Sequence, residues 1–142
     1  MAFLLDTNVI SELRKHKPHG AVSAWFDSVA EAQIQIPAVV IGELQAGVEK
    51  TRQQDPHKAA EIEGWIDRIL GAFAVVAMDG SIFREWARLM HGKPEDLSAD
   101  AMIAATARMH GLTIATRNGK DFSGFNVPVF NPFTSSAKPR KQ

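Results

Sequence analysis

Phe3-Leu4-Leu5-Asp6-Thr7-Asn8-Val9-Ile10-Ser11-Glu12-Leu13 contains the change of hydrophobic period that decides the fold. The first three residues are consecutively apolar and read as a short buried strand, expected over residues 3–6. From Asn8 the apolar residues take helical spacing, which predicts a helix near 8–16. A strand running straight into a helix is how a parallel α/β sheet begins. Asp6 falls at the junction, on the carboxyl edge of the strand, where open parallel sheets bind their ligands. It is also well placed to cap the helix or form an Asx-turn, and residue type alone does not separate these roles.

The same alternation continues along the chain. A second helix is expected near 20–30, with Trp25, Phe26 and Val29 on its apolar side. Gln33 to Pro37 alternates like a strand, and Pro37 opens a helix over 38–49, where its missing N–H does no harm. Ile62, Trp65, Ile66 and Ile69 or Leu70 mark a helix near 57–71 whose stripe suits a core or a dimer surface. Phe73 to Ala77 reads as a third strand. Asp79 caps a helix near 80–91, which Gly92-Lys93-Pro94 ends. Ser98 is the expected N-cap of an alanine-rich helix that stops at Gly111. Leu112 to Thr116 is the fourth strand, and Val127 to Phe130 a last short strand at an edge. The expected fold class is therefore α/β, three-layered and Rossmann-like, with a mostly parallel sheet of four to five strands flanked by helices. One domain is expected over residues 1–133, followed by a polar, disordered tail over 134–142.

This topology gathers acids at one edge of the sheet. Glu43 shares a helix face with Val39, Val40, Ala46 and Gly47, which places it on the inward side as a charge in an apolar stripe, or at the rim of that face where it escapes into solvent. Asp100 shares a face with Ile103 and Ala104, although acids also favour first helical turns for their effect on the dipole. Asp121 follows the Thr116-Arg117-Asn118 turn. Converging carboxylates raise one another's pKa unless a cation lies among them. Oxygen ligands without cysteine favour a hard ion, Mg²⁺ or Mn²⁺. The five histidines are scattered, and Pro18 separates His16 from His19, which argues against zinc.

Composition narrows the partners. Sixteen Lys and Arg balance sixteen Asp and Glu, so no global basic field draws nucleic acid, and any such contact must be local. Arg14-Lys15-His16-Lys17 and Lys138-Pro139-Arg140-Lys141 are the local candidates, though such runs are commonly plain solvated charge. The absence of cysteine excludes a disulfide framework. Met1-Ala2-Phe3-Leu4-Leu5 is too short and too soon interrupted for a signal or a membrane span, so a soluble cytoplasmic protein is expected.

Four separated motifs carry a family resemblance: Leu4 to Leu13, Glu43-Leu44 with Gly47, Asp100-Ile103-Ala104-Ala105-Thr106-Ala107, and Thr116-Arg117-Asn118 with Asp121-Phe122, followed by Asn131-Pro132. In this order and spacing they resemble the PIN-domain ribonuclease toxins of the VapC type, close to the FitB-like branch. The resemblance implies that Asp6, Glu43 and Asp100 are the family's metal-binding acids, with Asp6 and Asp100 holding Mg²⁺ or Mn²⁺. Relatives often carry aspartate directly after the Thr-Arg pair. Here Asn118 stands in that place, and Asp121 comes three residues later as the other candidate for the fourth position.

The activity implied is hydrolysis of an RNA phosphodiester by activated water, leaving a 5′-phosphate and a 3′-hydroxyl. Glu43 would hold or deprotonate the water. Thr7, Asn8 and Thr116 would orient metal waters and Arg117 would take a phosphate, although turn structure and an ordinary surface arginine account for these residues equally well. A homodimer and a VapB-like antitoxin lying over the acidic groove are the implied partners, with Trp25, Phe26 and Trp65 as candidate contact residues that serve equally well as core. A catalytically inactive PIN domain that only binds RNA or antitoxin is the alternative. An aspartyl-nucleophile phosphatase is disfavoured because Asn8 replaces the acid expected two residues after Asp6. A receiver domain is disfavoured because its paired acids and late lysine are missing.

Overall fold

A computed structural model of the protein describes residues 1–138. Five parallel strands lie in the order β3-β2-β1-β4-β5: β1 (Phe3–Leu5), β2 (Ile34–Pro37), β3 (Ala74–Val76), β4 (Thr113–Ala115) and β5 (Val129–Phe130). Helices α1 (Thr7–Arg14), α2 (Gly20–Ser28), α3 (Ala38–Arg52), α4 (Pro56–Ala72), α5 (Gly80–Met90) and α6 (Ser98–His110) connect them. β1 is central, and Leu4 and Ile114 are wholly buried, which explains the uninterrupted apolar run at the start of the chain. The chain turns one way from β1 to β2 and β3 and the other way to β4 and β5. That reversal opens a crevice beyond the carboxyl ends of β1 and β4.

Several local signals act as their residue types dictate. Asp79 accepts from the Ile82 amide at 3.0 Å to start α5, and Gly111 ends α6 in the left-handed conformation at φ 64°. β5 occupies the sheet edge, as expected. Asp55, which sequence reasoning passed over, caps α4 through the Lys58 amide at 3.0 Å, with Pro56 in the first helical turn. Ser98 does not cap α6. A 3-10 turn over Glu95–Leu97 feeds directly into that helix, so Ser98 already has helical angles and Leu97 holds the cap position. The Ser98 carbonyl instead accepts from the Trp86 indole at 3.1 Å.

The α4 stripe is core at Ile66 and half-buried at Ile62 and Trp65. Ile66 is buried against Val48 and Ala59, and Ile62 and Trp65 pack over them. Trp25 is likewise core, 3 % exposed and edge-on to Phe3 at 5.1 Å, so it is not a contact residue for a partner. The exposed large apolar side chains include Leu70 on α4 and Phe83 on α5. At the C-terminal end, Pro132–Thr134 form a 3-10 turn and Ala137 packs on the main core. Of the sequence expected to form a polar tail, residues 139–142 lie outside the described residues. Among the described residues no helix is long and apolar enough to cross a membrane.

Candidate active site

Asp6 leaves β1 and becomes the N-cap of α1, with its side chain accepting from the Thr7 amide at 2.8 Å. Capping and site-building are one arrangement here. The other carboxylate oxygen accepts from the Thr116 hydroxyl at 2.8 Å and the Asn8 amide at 3.2 Å. Thr116, at the end of β4, is itself buried, and its hydroxyl oxygen receives the Asn118 backbone N–H at 3.1 Å. That oxygen is an acceptor toward Asn118, so its own hydrogen is directed at Asp6. Asn8 completes the lattice by accepting from the Arg117 backbone N–H at 3.0 Å. Three of the roughly four acceptor positions of the Asp6 carboxylate are thus occupied by protein, about one remaining for an outside partner. Burial pushes the Asp6 carboxyl up, the Thr116, Thr7 and Asn8 hydrogen bonds hold it down, and the charge of Asp121 pushes it up again.

Asp100 lies in the first turn of α6, partly buried. Its carboxyl is pushed up to about 6, first by burial and then by the charges of Asp6, Asp121, Glu43 and Asp96. The structure therefore brings the expected acids into one electrostatic group. It adds Asp96, which sequence reasoning missed because it lies in the 3-10 turn before α6, a segment without periodicity. Asp121 is exposed in the 3-10 segment Gly119–Phe125, whose Phe122 and Phe125 are buried and fix its attachment. Asn118 is exposed, and among the described residues its side chain makes no hydrogen bond, so its backbone is the part that serves the Thr116 lattice.

Glu43 corrects the stripe reading. It is exposed, as are Gly42, Ala46 and Gly47, while Val40 and Val48 supply the buried line of α3. Four-residue spacing from Val40 to Val48 directs the packing face elsewhere and leaves Glu43 beside α1, where it accepts from the Thr7 hydroxyl at 3.0 Å. A groove of about 270 Å³ leads away from this pair past Ser11 and Gly47 to Ile62.

Two further ion networks hold the frame. Buried Glu12 accepts from the Lys15 ammonium at 3.0 Å and the His19 amide at 2.9 Å, tying α1 to the start of α2. Lys15 is thereby taken out of the basic run as a free cation. Buried Glu85 on α5 accepts from Arg108 on α6 at 2.7 Å and Arg88 at 3.0 Å. Arg108 and then Arg88 hold its carboxyl below the ordinary range. Arg108 also donates to the carbonyls of Phe125 and Asn126, at 3.2 and 2.7 Å, where Asn126 turns left-handed at φ 49°. This clamp closes the segment that carries Asp121. Arg108→Ala is expected to cost about 2 kcal/mol, since it strips a buried carboxylate of its main partner. Urea denaturation reads the loss, and faster amide exchange over residues 119–126 shows that the segment loosens.

The acids suit a hard divalent cation by donor type, by one open acceptor position on Asp6 and by mutual repulsion at Asp100. Among the described residues no three His, Cys, Asp or Glu side chains form a ready-made metal cage. The acids are coupled by charge at Asp100 without closing on a common centre.

A three-layer α/β protein with a carboxylate cluster at the switch point of a parallel sheet is the class these features define. The PIN domain family model matches residues 3–126. Toxin FitB of Neisseria gonorrhoeae is 37 % identical over 137 residues, covering 92 % of this chain and 97 % of that protein. VapC ribonuclease Y4jK of Sinorhizobium fredii is 35 % identical over 144 residues, covering 92 % and 96 %. The crystal structure of FitAcB from Neisseria gonorrhoeae superposes with a TM-score of 0.82 at 34 % identity, over 94 % of this chain and 99 % of that one. The chain belongs to the PIN-domain family.

Proposed function

We propose that this protein is a metal-dependent endoribonuclease, the toxin of a VapBC-type toxin–antitoxin pair. The observation that carries the reading is the charge coupling of Asp100 to Asp6, Asp121 and Glu43, which together with burial pushes its carboxyl up to about 6. Relatives over nearly the full length that are named as a toxin and a ribonuclease support it. Asp6 and Asp100 would hold Mg²⁺ or Mn²⁺, with Asp121 on the open side. When bound, the ion supplies an acidified water and offsets charge on the non-bridging phosphate oxygens.

The chain's own groups do the remainder. Thr116 and Asn8 fix the orientation of Asp6, and Thr7 fixes Glu43. Glu43, exposed and hydrogen-bonded on one oxygen, accepts a proton from the attacking water. The water oxygen bonds to phosphorus, the bond from phosphorus to the 3′-oxygen breaks, and the departing oxygen takes a proton from solvent. The products are a 5′-phosphate and a 3′-hydroxyl. In the cytoplasm, a homodimer and a small antitoxin complete the system. An antitoxin arginine or lysine would offset the same carboxylate charge that the metal does.

The test is total RNA incubated with antitoxin-free protein in Mg²⁺, Mn²⁺ or chelator, followed by mapping of 5′ ends. Defined cuts that need the metal are expected. Intact RNA in every condition would leave the module that only binds RNA or antitoxin.

A further inference from the structure

Arg117 follows Thr116 directly and belongs to the same lattice as Asp6, yet its guanidinium is not spent on the acids. Among the described residues it has no carboxylate within 4.0 Å. Instead its Cζ lies 4.5 Å from the centroid of the Phe133 ring. Phe133 is anchored in turn. Its backbone N–H donates to Asn131 Oδ1 at 2.9 Å, Pro132 beside it is buried, and the ring stands edge-on to His19 at 5.3 Å. His19 is itself held, with Nδ1 accepting from the Ala21 amide at 3.2 Å and its backbone N–H donating to buried Glu12. The stack of His19, Phe133 and Arg117 therefore joins α2, the C-terminal turn and the end of β4 beside the acidic crevice.

An exposed arginine next to several carboxylates ordinarily folds onto them. The aromatic face supplies a competing attraction that keeps this cation at the rim, with its N–H fork available. The chain as a whole carries no net charge, so an RNA strand gains nothing from a long-range field and meets repulsion at the acids. A cation set apart from those acids answers that repulsion locally, and a guanidinium fork matches the two free oxygens of a phosphodiester.

We infer that Arg117, held out by Phe133, binds a phosphate of the RNA strand adjacent to the one being cut, and so forms a flanking subsite of the active site. Phe133 is a positioning residue in this arrangement. The inference rests on the ribonuclease reading, and it concerns binding rather than the chemical step.

The experiment titrates a labelled single-stranded RNA oligonucleotide of mixed sequence against the full-length Asp100→Asn protein in Mg²⁺ over a series of KCl concentrations. Arg117→Ala in that background is expected to weaken binding on the order of tenfold. It also lowers the slope of log K against log salt by about 0.7, the contribution of one single-strand phosphate. Phe133→Ala keeps the slope, since the charge remains, but weakens binding severalfold, and Phe133→Tyr restores it. Circular dichroism confirms that each variant is folded, and Arg117→Lys, with charge but no fork, retains the slope at reduced affinity. Unchanged affinity and slope in Arg117→Ala would overturn the subsite while leaving the ribonuclease reading intact. If the Asp100→Asn parent itself bound no RNA at any salt, the subsite would fall, while metal-dependent cleavage by the wild-type protein would still decide the ribonuclease reading.

Discussion

The Asp6→Asn variant is expected to lose metal-dependent RNA cleavage by ~10²–10³-fold or more while remaining folded. Two effects combine. The substitution removes the charge of the carboxylate nearest the switch point, and it places a new NH₂ donor where Asp6 accepted hydrogen bonds. The oxygen lost had received the Thr116 hydroxyl and the Asn8 amide. Asn8 cannot simply flip to suit, because its carbonyl oxygen accepts the Arg117 backbone N–H. The Thr116 oxygen is already engaged by Asn118. An amide oriented to keep the Thr7 bond therefore faces a donor, at a cost of roughly 1 kcal/mol in stability, too little to unfold a domain of this size. Initial cleavage rates at saturating Mn²⁺, beside a urea melt, separate the two effects. Cleavage within tenfold of wild type would remove Asp6 from the mechanism.

Asp100→Asn should act in opposite directions on activity and stability. In the unfolded chain this carboxyl ionises near its ordinary value of 3.8, whereas in the folded metal-free protein it does so at about 6. Between those pH values the folded state holds more protons than the unfolded one. Stability is thus highest below pH 3.8 as far as this group is concerned and is lost as pH rises through 6. The full penalty has an upper bound of ~3 kcal/mol. Asp100 is only partly buried, and solvent screening reduces the figure to about 1–2 kcal/mol.

Replacing the acid with its neutral isostere removes that penalty. The melting temperature of the metal-free variant at pH 7.5 should rise by about 3–6 °C. At pH 4, where the wild-type carboxyl is already protonated in the fold, most of the gain should vanish. Added Mn²⁺ should stabilise wild type and have little effect on the variant, because only a folded site with its acids binds the ion. Cleavage should be lost throughout. A variant no more stable than wild type at pH 7.5 would mean that neither burial nor the neighbouring acids strain Asp100 as an anion, removing the main electrostatic argument for a cation. For wild type, the same titration predicts cleavage that strengthens from pH 5 to 7 as Asp100 becomes available as an anion.

Much of this was legible in residue order. Three buried residues before Asp6, the alanine-rich helix ending at Gly111 and the strand before Thr116 determined a parallel sheet with acids at its carboxyl edge, since each depends on local period and capping chemistry. Which strands neighbour one another is a long-range fact, and only the order β3-β2-β1-β4-β5 places Asp6 against Thr116 across 110 positions of sequence. Glu43 shows the limit of periodicity. Its helix face was readable, but whether that face met core or crevice depended on how α3 packs, and it met the crevice. Asp96 and the Arg108 clamp left no local signal because turns have no period and an ion pair between helices has no fixed spacing. Arg117 stood in the motif from the outset, but its release from the acids was decided by Phe133, sixteen residues later, through a ring contact that forms only when the C-terminal turn folds back beside β4. Residue order settles which groups are available and on which element each sits. Tertiary packing decided which of them face one another, because burial, charge coupling and stacking act through space between residues that the chain keeps far apart.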